Sequence, residues 1–600
     1  MEYYTIILFF LLIITFFSRL FTSKSKLPPG PYQWPIIGNI HKLGDKPHRA
    51  VAELSKIYGP IMSLKLGSIT TIVISSPEIA QEMFLKHDLD FSGRGTLDAM
   101  RATNHDKFSL VFLPICPLWR KLRKISMVYL FTTQRLNASQ FLRQKKVNEL
   151  TDYVRQCGKC GIPVDIGKAA FTTTLNLLSN TIFSMDLASH TSSNSQEFKD
   201  LVWHLMEEGA KPNVSDFFPL VKCLDLQGVL RRNTRYANQM LAIFEEIIDA
   251  RLNDSNMDAK DDVLSTLLKL VEDKQMSFDE ALFVAGTDTT SSTIEWIMTE
   301  LLHNPQKMTK AQIELEHVFG KGGTIKELDI SKLSYIQAIV KETFRLHPPA
   351  PFLIPYKAQK DVKFCGYHVP KNAHIWVNVW AIGRDSKVWM NPKLFSPERF
   401  LEREINANGR NFELLPYGAG RRICPGMPLA DRMVHLILST LLHSFDWKYC
   451  DGISSKDIDV EEKFGITLQK ARPLQAIPLL VSKSRLPPGP FPWPIIGNIL
   501  KLDNQPHRAV ADLSKIHGPI MSLKLGSITI IVISSSEIAQ EMFLKHNLDF
   551  SGKVVLNAIT ASNHDKFSIF FLPICPCGAN LGKLQPSNYS QPKDSMLAKL

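Results

Sequence analysis

The stretch PYGAGRRICPG, residues 416–426, constrains the fold more than any other part of the chain. Its prolines and glycines exclude a regular helix or strand, so the backbone there must be a shaped loop. The loop presents one thiol, Cys424, behind two arginines and a Gly-x-Gly bend and directly before Pro-Gly. A nucleophile, a metal ligand and an accident of composition are all open readings at this point. A dinucleotide-binding loop is not, because the third glycine of G-x-G-x-x-G is missing.

With 44% hydrophobic and 21% charged residues the chain is globular in composition, and 600 residues exceed what one ordinary core needs. A net charge of +12 suits nucleic acid, an anionic membrane surface or an acidic partner protein. Lysines and arginines are spread along the chain, which argues against nucleic acid. Nine irregularly spaced cysteines do not make a disulfide scaffold and fit a reducing compartment. At the N-terminus YYTIILFFLLIITFF, residues 3–17, is an uncharged apolar run that reaches Phe21 if Arg19 snorkels. As a helix it would cross most of a thin bilayer such as that of the endoplasmic reticulum. A cleaved signal peptide is the alternative, opposed by the lack of a preceding basic residue and of an A-x-A-like cleavage site. Arg19, Lys24 and Lys26 follow the run, which by the positive-inside tendency keeps the body cytosolic. The expectation is a single-pass anchor over residues 1–21 in the endoplasmic reticulum membrane, with LPPGP (residues 27–31) as a stiff elbow.

LPPGPYQWPIIGNIHKL at Leu27 returns as LPPGPFPWPIIGNILKL at Leu486. The match runs from residues 24–117 to residues 483–576, with about three-quarters of aligned positions identical. Two copies so far apart are no stacked array. Each reads as a short amphipathic helix (HRAVAELSKIYG), a β-hairpin (IMSLKLGSITTIVISS) and a second helix, with Ser76 as N-cap and Pro77 at its first position. Ser536 replaces Pro77 in the second copy, a weaker start. After FLPICP the first copy continues LWRKLRK, whereas the second turns into a polar stretch expected to be disordered. The expected organisation is an anchor (1–21), a main domain (22–481), a partial duplicate of residues 23–117 (482–576) and a disordered tail (577–600). Fusion with a truncated neighbouring copy explains the duplicate; a regulatory domain is the alternative.

Residues 277–303, SFDEALFVAGTDTTSSTIEWIMTELLH, read as a helix of roughly 40 Å with a Ser277/Glu280 capping box, ended by Asn304-Pro305. AGTDTT at its centre, residues 285–290, is a poor choice for a buried helix and marks either function or a polar kink packed on water. KETFRLHPPAP places Glu342 and Arg345 one helical turn apart, and FSPERF offers Arg399 as a second guanidinium. On the surface such a pair contributes little; buried, the set would be costly to break.

Together these pieces resemble a plant microsomal cytochrome P-450, a haem-thiolate monooxygenase, over essentially residues 1–481. The family's cysteine-loop pattern F-x-x-G-x-R-x-C-x-G fits residues 417–426 with Tyr417 in place of phenylalanine. The oxygen-activation pattern fits residues 285–290, E-x-x-R fits Glu342 and Arg345, PERF fits residues 397–400, and the W-x-x-x-R pair is Trp119 and Arg123. FVAGTDTTSSTIEW, ETFRLHPPAP and RMVHLILSTLLHSFDW look most like the plant group containing geraniol 8-hydroxylase. The resemblance implies a mainly α fold with small β-sheets and haem b, whose iron takes Cys424 as its axial thiolate ligand. Gly420 shapes the loop, Gly426 lets the next helix start close to the porphyrin, and a phenol at Tyr417 can add a hydrogen bond to the thiolate. Arg422, Trp119 and Arg123 would hold the propionates, Thr289 would position protons through water, and Asp288 would relay them from solvent. Glu342, Arg345 and Arg399 would be structural. The implied partners are O2, the membrane, a small hydrophobic substrate such as a monoterpenol, and the NADPH–cytochrome P-450 reductase, through which NADPH supplies electrons.

The rivals are weaker. CGKC, residues 157–160, suggests a redox or zinc site but has no partner pair nearby. WRKLRK alone reads as a solvated basic face; with Trp119 leading it, the resemblance implies instead that part of it grips haem and that the remainder faces an acidic reductase. From another class comes a catalytically impaired haem-binding relic or interaction protein, spoiled by the appended segment.

Overall fold

The computed structural model describes residues 27–480, apart from 96, 104, 191–193, 211–212, 254–263, 266–280, 321–322 and 451–457; beyond them it describes 489–490, 498, 501–502, 505–525 and 528–545. The expected anchor, the Ser277/Glu280 capping box and the tail lie outside the described residues. Among the described residues no helix is long and apolar enough to cross a membrane. The chain divides into two compact units, Met1–Val481 and Ser482–Leu600.

The first unit is mainly helical with small sheets. Helix α1 (Pro47–Tyr58) starts on a proline, turns Val51 and Ala52 inward, and stops at Gly59, whose φ of +101° no helix can continue. Strands β1 (Ile61–Leu66) and β2 (Ile69–Ile74) pair antiparallel, Ile61 facing Ile74 and Leu66 facing Ile69. The run ITTIVI is β-branched throughout, which suits a strand covered on both faces. Ser76 then accepts a hydrogen bond from the Ile79 N–H at 3.4 Å, with Pro77 behind it, and α2 (Pro77–Lys86) begins. The LPPGP elbow is part of this fold: Ser63 donates to the carbonyls of Pro28 and Pro29, through Oγ (2.7 Å) and its backbone N–H (2.9 Å). Strands β3 (Gly93–Arg94), β4 (Tyr356–Lys357) and β5 (His374–Val377) complete the sheet in the order β1-β2-β5-β4-β3. The β2–β5 pairing is parallel, Thr71 opposite His374 and Ile74 opposite Val377. It ties the N-terminal hairpin to the late part of the unit.

The main core is helix on helix. Helix α3 (Ala281–His303) packs along α4 (Ile166–Phe183), α5 (Ser334–Leu346) and α6 (Met427–Ser444). Ile294, Ile297, Met298 and Leu301 meet Ile336, Ile339, Leu436, Ile437, Leu438 and Leu441 in one cluster of buried side chains. At about 1.5–3 kcal/mol for each large aliphatic side chain buried, this cluster is the main store of stability in the unit.

The polar middle of α3 is reconciled with burial by its own backbone. Thr289, Thr290 and Thr293 donate to the carbonyls of Ala285, Gly286 and Thr289 at 2.7, 2.9 and 2.7 Å, so none of the three hydroxyls is left unpaired. Gly286 lets α3 approach α4: a Cβ there would sit 2.8 Å from a methyl of Leu178.

The second unit repeats the local structure of the first. Helix Pro506–His517 ends at Gly518 with φ +102°, and strands Ile520–Leu525 and Ile528–Ile533 pair in the register of β1 and β2. Helix Ser536–Lys545 starts with the Ile538 N–H donating to Ser535 Oγ at 3.4 Å, the same cap without the proline. Ile528, Ile530 and Ile531 are exposed there, whereas Ile72 and Ile74 of the first copy are fully buried.

Within α3, Glu295 is buried and accepts the Leu474 N–H at 2.8 Å. Burial pushes its carboxyl up from 4.5 to about 7, against the Leu474 hydrogen bond and with help from the charge of Asp165. The folded state therefore holds a proton that the unfolded chain releases, and stability falls as pH rises through the window from about 4.5 to 7. Glu295→Gln should flatten this slope, which thermal unfolding at a series of pH values on the two proteins would measure.

Candidate functional site

Two cavities meet at the polar middle of α3. One, of about 270 Å³, is lined by Cys424, Tyr417, Arg422, Gly426, Trp119 and Arg123, together with Ala285, Gly286, Thr289 and Thr290 of α3. The other, of about 390 Å³, is lined mostly by apolar side chains such as Leu97, Met100, Leu205 and Met240. Both are bordered by Val111, Ala285, Thr289, Ala350, Leu353 and Ile354, so Thr289 stands where they join.

The cysteine loop is built by backbone geometry. Gly418 and Gly420 take φ of +69° and +67°, a region costly for other residues. At Gly420 a Cβ would also come within 2.6 Å of Asp88 Oδ1, whose carboxylate accepts the Arg421 N–H at 3.1 Å. The bend brings the Cys424 N–H onto the Tyr417 carbonyl at 3.0 Å, and α6 begins just after Gly426. Cys424 keeps some accessible surface because it faces the cavity. Burial raises its thiol pKa, while the N–H groups of Gly426 and Met427 and the charge of Arg123 pull it down. A bound metal cation would add to that pull.

Trp119 and Arg123 come from helix Pro117–Tyr129, one turn apart on its inner face, while Arg120, Lys121 and Lys124 are exposed. The Trp119 indole N–H already donates to the Leu110 carbonyl at 3.0 Å, and its ring centre lies 5.3 Å from the Arg422 guanidinium. Trp119 thus supplies a ring beneath a cation, with its donor committed elsewhere. Arg422 in turn donates to the carbonyls of Ser92 (2.6 Å) and Leu113, and burial lowers its pKa to about 9. Arg123 makes no ion pair or hydrogen bond with the described residues. A lone thiol and an unpaired guanidinium on one largely apolar cavity fit a group that carries both a metal and carboxylates, as haem does.

Three placements differ from the sequence-based expectation or go beyond it. The Tyr417 hydroxyl makes no hydrogen bond with the described residues, the Cys424 sulfur included; its ring packs edge-on against Phe344 at 5.5 Å, and burial drives its pKa well up. Asp288 borders neither cavity: it is 2% exposed and its Oδ1 accepts from Gln469 Nε2 at 2.9 Å. Its Oδ2 has no partner in bonding geometry, although Thr467 is close enough to stabilise charge there, and burial raises the carboxyl pKa. Arg94 and Tyr356, which sequence reasoning missed, also line the smaller cavity, with the guanidinium 4.3 Å from the ring centre. The signal that could have found Arg94 is the repeat itself, because Lys553 and Val554 replace Arg94 and Gly95 in the second copy. A Cβ at Gly95 would come within 2.8 Å of the His374 ring.

Glu342, Arg345 and Arg399 meet away from the cavity. Arg345 forks onto Glu342 through Nε (2.7 Å) and Nη2 (2.8 Å), and Arg399 Nε adds a bond at 3.1 Å; the carboxylate is fully buried. Cys157 and Cys160 lie on helix Gln140–Cys160, the first buried and the second exposed. Among the described residues no group of three or more His, Cys, Asp or Glu could hold a metal ion.

Comparison with known proteins agrees in kind. The family model described as Cytochrome P-450 matches residues 28–475 and, a second time, 487–573. The chain is 56% identical over 484 residues to the cytochrome P-450 monooxygenase 76AD131 of Lophophora williamsii, covering 79% of this chain and 96% of the relative. It is 52% identical over 490 residues to geraniol 8-hydroxylase of Catharanthus roseus (80% and 99% covered) and 50% over 488 residues to geraniol 8-hydroxylase of Swertia mussotii (79% and 99%).

Two substitutions test the arrangement. Tyr417→Phe removes an unpartnered buried hydroxyl and should leave the unit as stable or more stable, by about 1 kcal/mol, in denaturant unfolding. Glu342→Ala strands two guanidiniums and should destabilise by about 3–5 kcal/mol in the same assay.

Proposed function

Because the chain belongs to the cytochrome P-450 family, whose members carry haem, and is a monooxygenase, we propose that it hydroxylates a small hydrophobic substrate, a monoterpenol such as geraniol. Its electrons come from NADPH through a flavoprotein reductase, and residues 1–21 anchor it in the endoplasmic reticulum membrane. The observation that carries this reading is the junction at Thr289, where an apolar cavity opens onto the cavity that holds the lone thiol.

Cys424 would ligate the iron of haem b, and Arg123 would meet a propionate, with Arg422 and the Trp119 ring fixing the wall beside it. When bound, haem supplies the activation of dioxygen and the oxidation of an unactivated C–H bond. The chain supplies position and protons. Thr289 Oγ1, now donating to the Ala285 carbonyl, faces the cavity and can hold a water there. Asp288 keeps a proton more readily than a solvated aspartate, and its unpartnered Oδ2 is the atom that would carry it. The apolar lining of the larger cavity excludes bulk water and favours a hydrocarbon substrate. The exposed Arg120, Lys121 and Lys124 give an acidic reductase a cationic face close to Trp119 and Arg123.

A ferrous–CO difference spectrum should show the red-shifted thiolate Soret band, and its absence defeats the assignment. With reductase and NADPH, geraniol should be hydroxylated; turnover confined to phenolic or alkaloid substrates would reject the monoterpenol. Thr289→Ala should keep the CO spectrum and lower product formed per NADPH consumed by roughly tenfold or more, in the range of a lost proton-transfer group.

A further inference from the structure

The larger cavity carries a polar group that the proposed chemistry does not use. Asn233 lies near the start of helix Val229–Leu252, is 4% exposed, and borders the cavity. Its Nδ2 donates to the Ala99 carbonyl at 2.9 Å, in the 3-10 turn Asp98–Thr103. That bond fixes which way the amide faces, because a flipped amide would set two oxygens against each other. Oδ1 is left without a hydrogen-bond partner among the described residues, and the cavity that Asn233 borders is otherwise lined mostly by apolar side chains such as Leu97, Met100 and Met240. A buried acceptor with no donor is costly unless a ligand supplies one. Cys424 borders only the other cavity, so Asn233 and the thiol lie on opposite sides of the junction at Thr289.

We propose that Asn233 Oδ1 is the polar anchor for the substrate, accepting a hydrogen bond from a hydroxyl at one end and so presenting the opposite, hydrocarbon end to Thr289 and Cys424. This deepens the monoterpenol reading and rests on it. The substrate class is a hydroxyl donor on a slender hydrocarbon, and oxidation falls at the end remote from that hydroxyl. Among the described residues, two other groups without a hydrogen-bond partner border the cavity from the sheet, Thr71 Oγ1 and Trp376 Nε1. Trp376 can only donate, so it would take the substrate oxygen as an acceptor. Asp216 also borders the cavity, with its Oδ1 held by the Asp98 N–H at 2.6 Å, and as a carboxylate it would prefer an ammonium.

These differences define the test. Dissociation constants of the full-length haem-loaded protein are measured by equilibrium dialysis for geraniol, geranyl methyl ether and geranylamine. The ether keeps the acceptor oxygen and loses the donor, so the wild type should bind geraniol about tenfold more tightly, equivalent to about 1.4 kcal/mol. Asn233→Leu should bind alcohol and ether alike, and its hydroxylation products should spread over several carbons. Equal binding of alcohol and ether by the wild type overturns the proposal and moves the oxygen to Trp376. Tighter binding of the amine than of the alcohol overturns it in favour of Asp216. A preference for the alcohol that survives in Asn233→Leu also overturns it. A wild type that binds none of the three rejects the monoterpenol reading itself, and the anchor with it. If Asn233→Leu does not fold, Asn233→Ala takes its place, and a preference for the alcohol that survives in it overturns the proposal in favour of another acceptor such as Thr71.

Discussion

The irregular chain between Gly383 and Gly426 depends on arginine as a donor to backbone carbonyls. Chain without a helix or ladder has carbonyls with no regular partner, and buried ones must find a donor. Arg345 donates to the carbonyls of Gly383, Pro392 and Leu394 while it forks onto Glu342, and Arg399 adds the Met390 carbonyl. Glu342 Oε1 also accepts the Ser396 N–H at 2.6 Å. One carboxylate thus holds two guanidiniums, and they hold the chain on its way to the cysteine loop. Arg422 works in the same manner at the loop itself, on Ser92 and Leu113. Guanidinium suits this task because it offers five donors in a fixed plane and stays charged where an ammonium would lose its proton more readily.

What could be read from the sequence was mostly local. Ser76-Pro77, the hairpin and the end of α3 at Asn304-Pro305 are set by side chains within a few residues of the feature they fix. The Glu342–Arg345 pair is equally local, and only the third member, Arg399, needed a partner far along the chain. The orientation of Asp288 was not legible, because its partner Gln469 lies 181 residues away. Arg94 and Asn233 were missed for the same reason: each is ordinary in its own stretch and acquires meaning from what the fold sets opposite. Trp119 is an intermediate case, since its face of the helix follows from periodicity but the use of its N–H does not.

The second unit separates these two kinds of information. Its helix, hairpin register and cap repeat those of the first copy, so they follow from local sequence. Burial does not repeat. In the first copy β2 is covered by β5, and Thr71 lies fully buried with its hydroxyl unpartnered; the matching Ile530 is exposed. Part of the sequence divergence falls where the first copy reaches the cavity, at Arg94 and Gly95, and another part at Asp88, where an asparagine like Asn547 could not form the ion pair to Arg421. The second copy carries the instructions for the elements but not those for Arg94 and Gly95.

Burial acts in the same direction on Cys424, which lines the smaller cavity, and on Asp288, the neighbour of Thr289 in α3, favouring the protonated form of each. The surroundings then separate them. Around Cys424, the N–H groups of Gly426 and Met427 and the unpaired Arg123 offer compensation to an anion, and a metal cation would complete it. Around Asp288, Gln469 donates to one oxygen and Thr467 lies close enough to stabilise charge on the other, but both are neutral and burial still favours the proton. A thiolate ligand and a proton donor, the roles proposed for the two, are opposite requirements within one low-dielectric interior. The fold meets both by placing a cation and two N–H groups beside the sulfur and giving the carboxyl only neutral donors, Gln469 and Thr467.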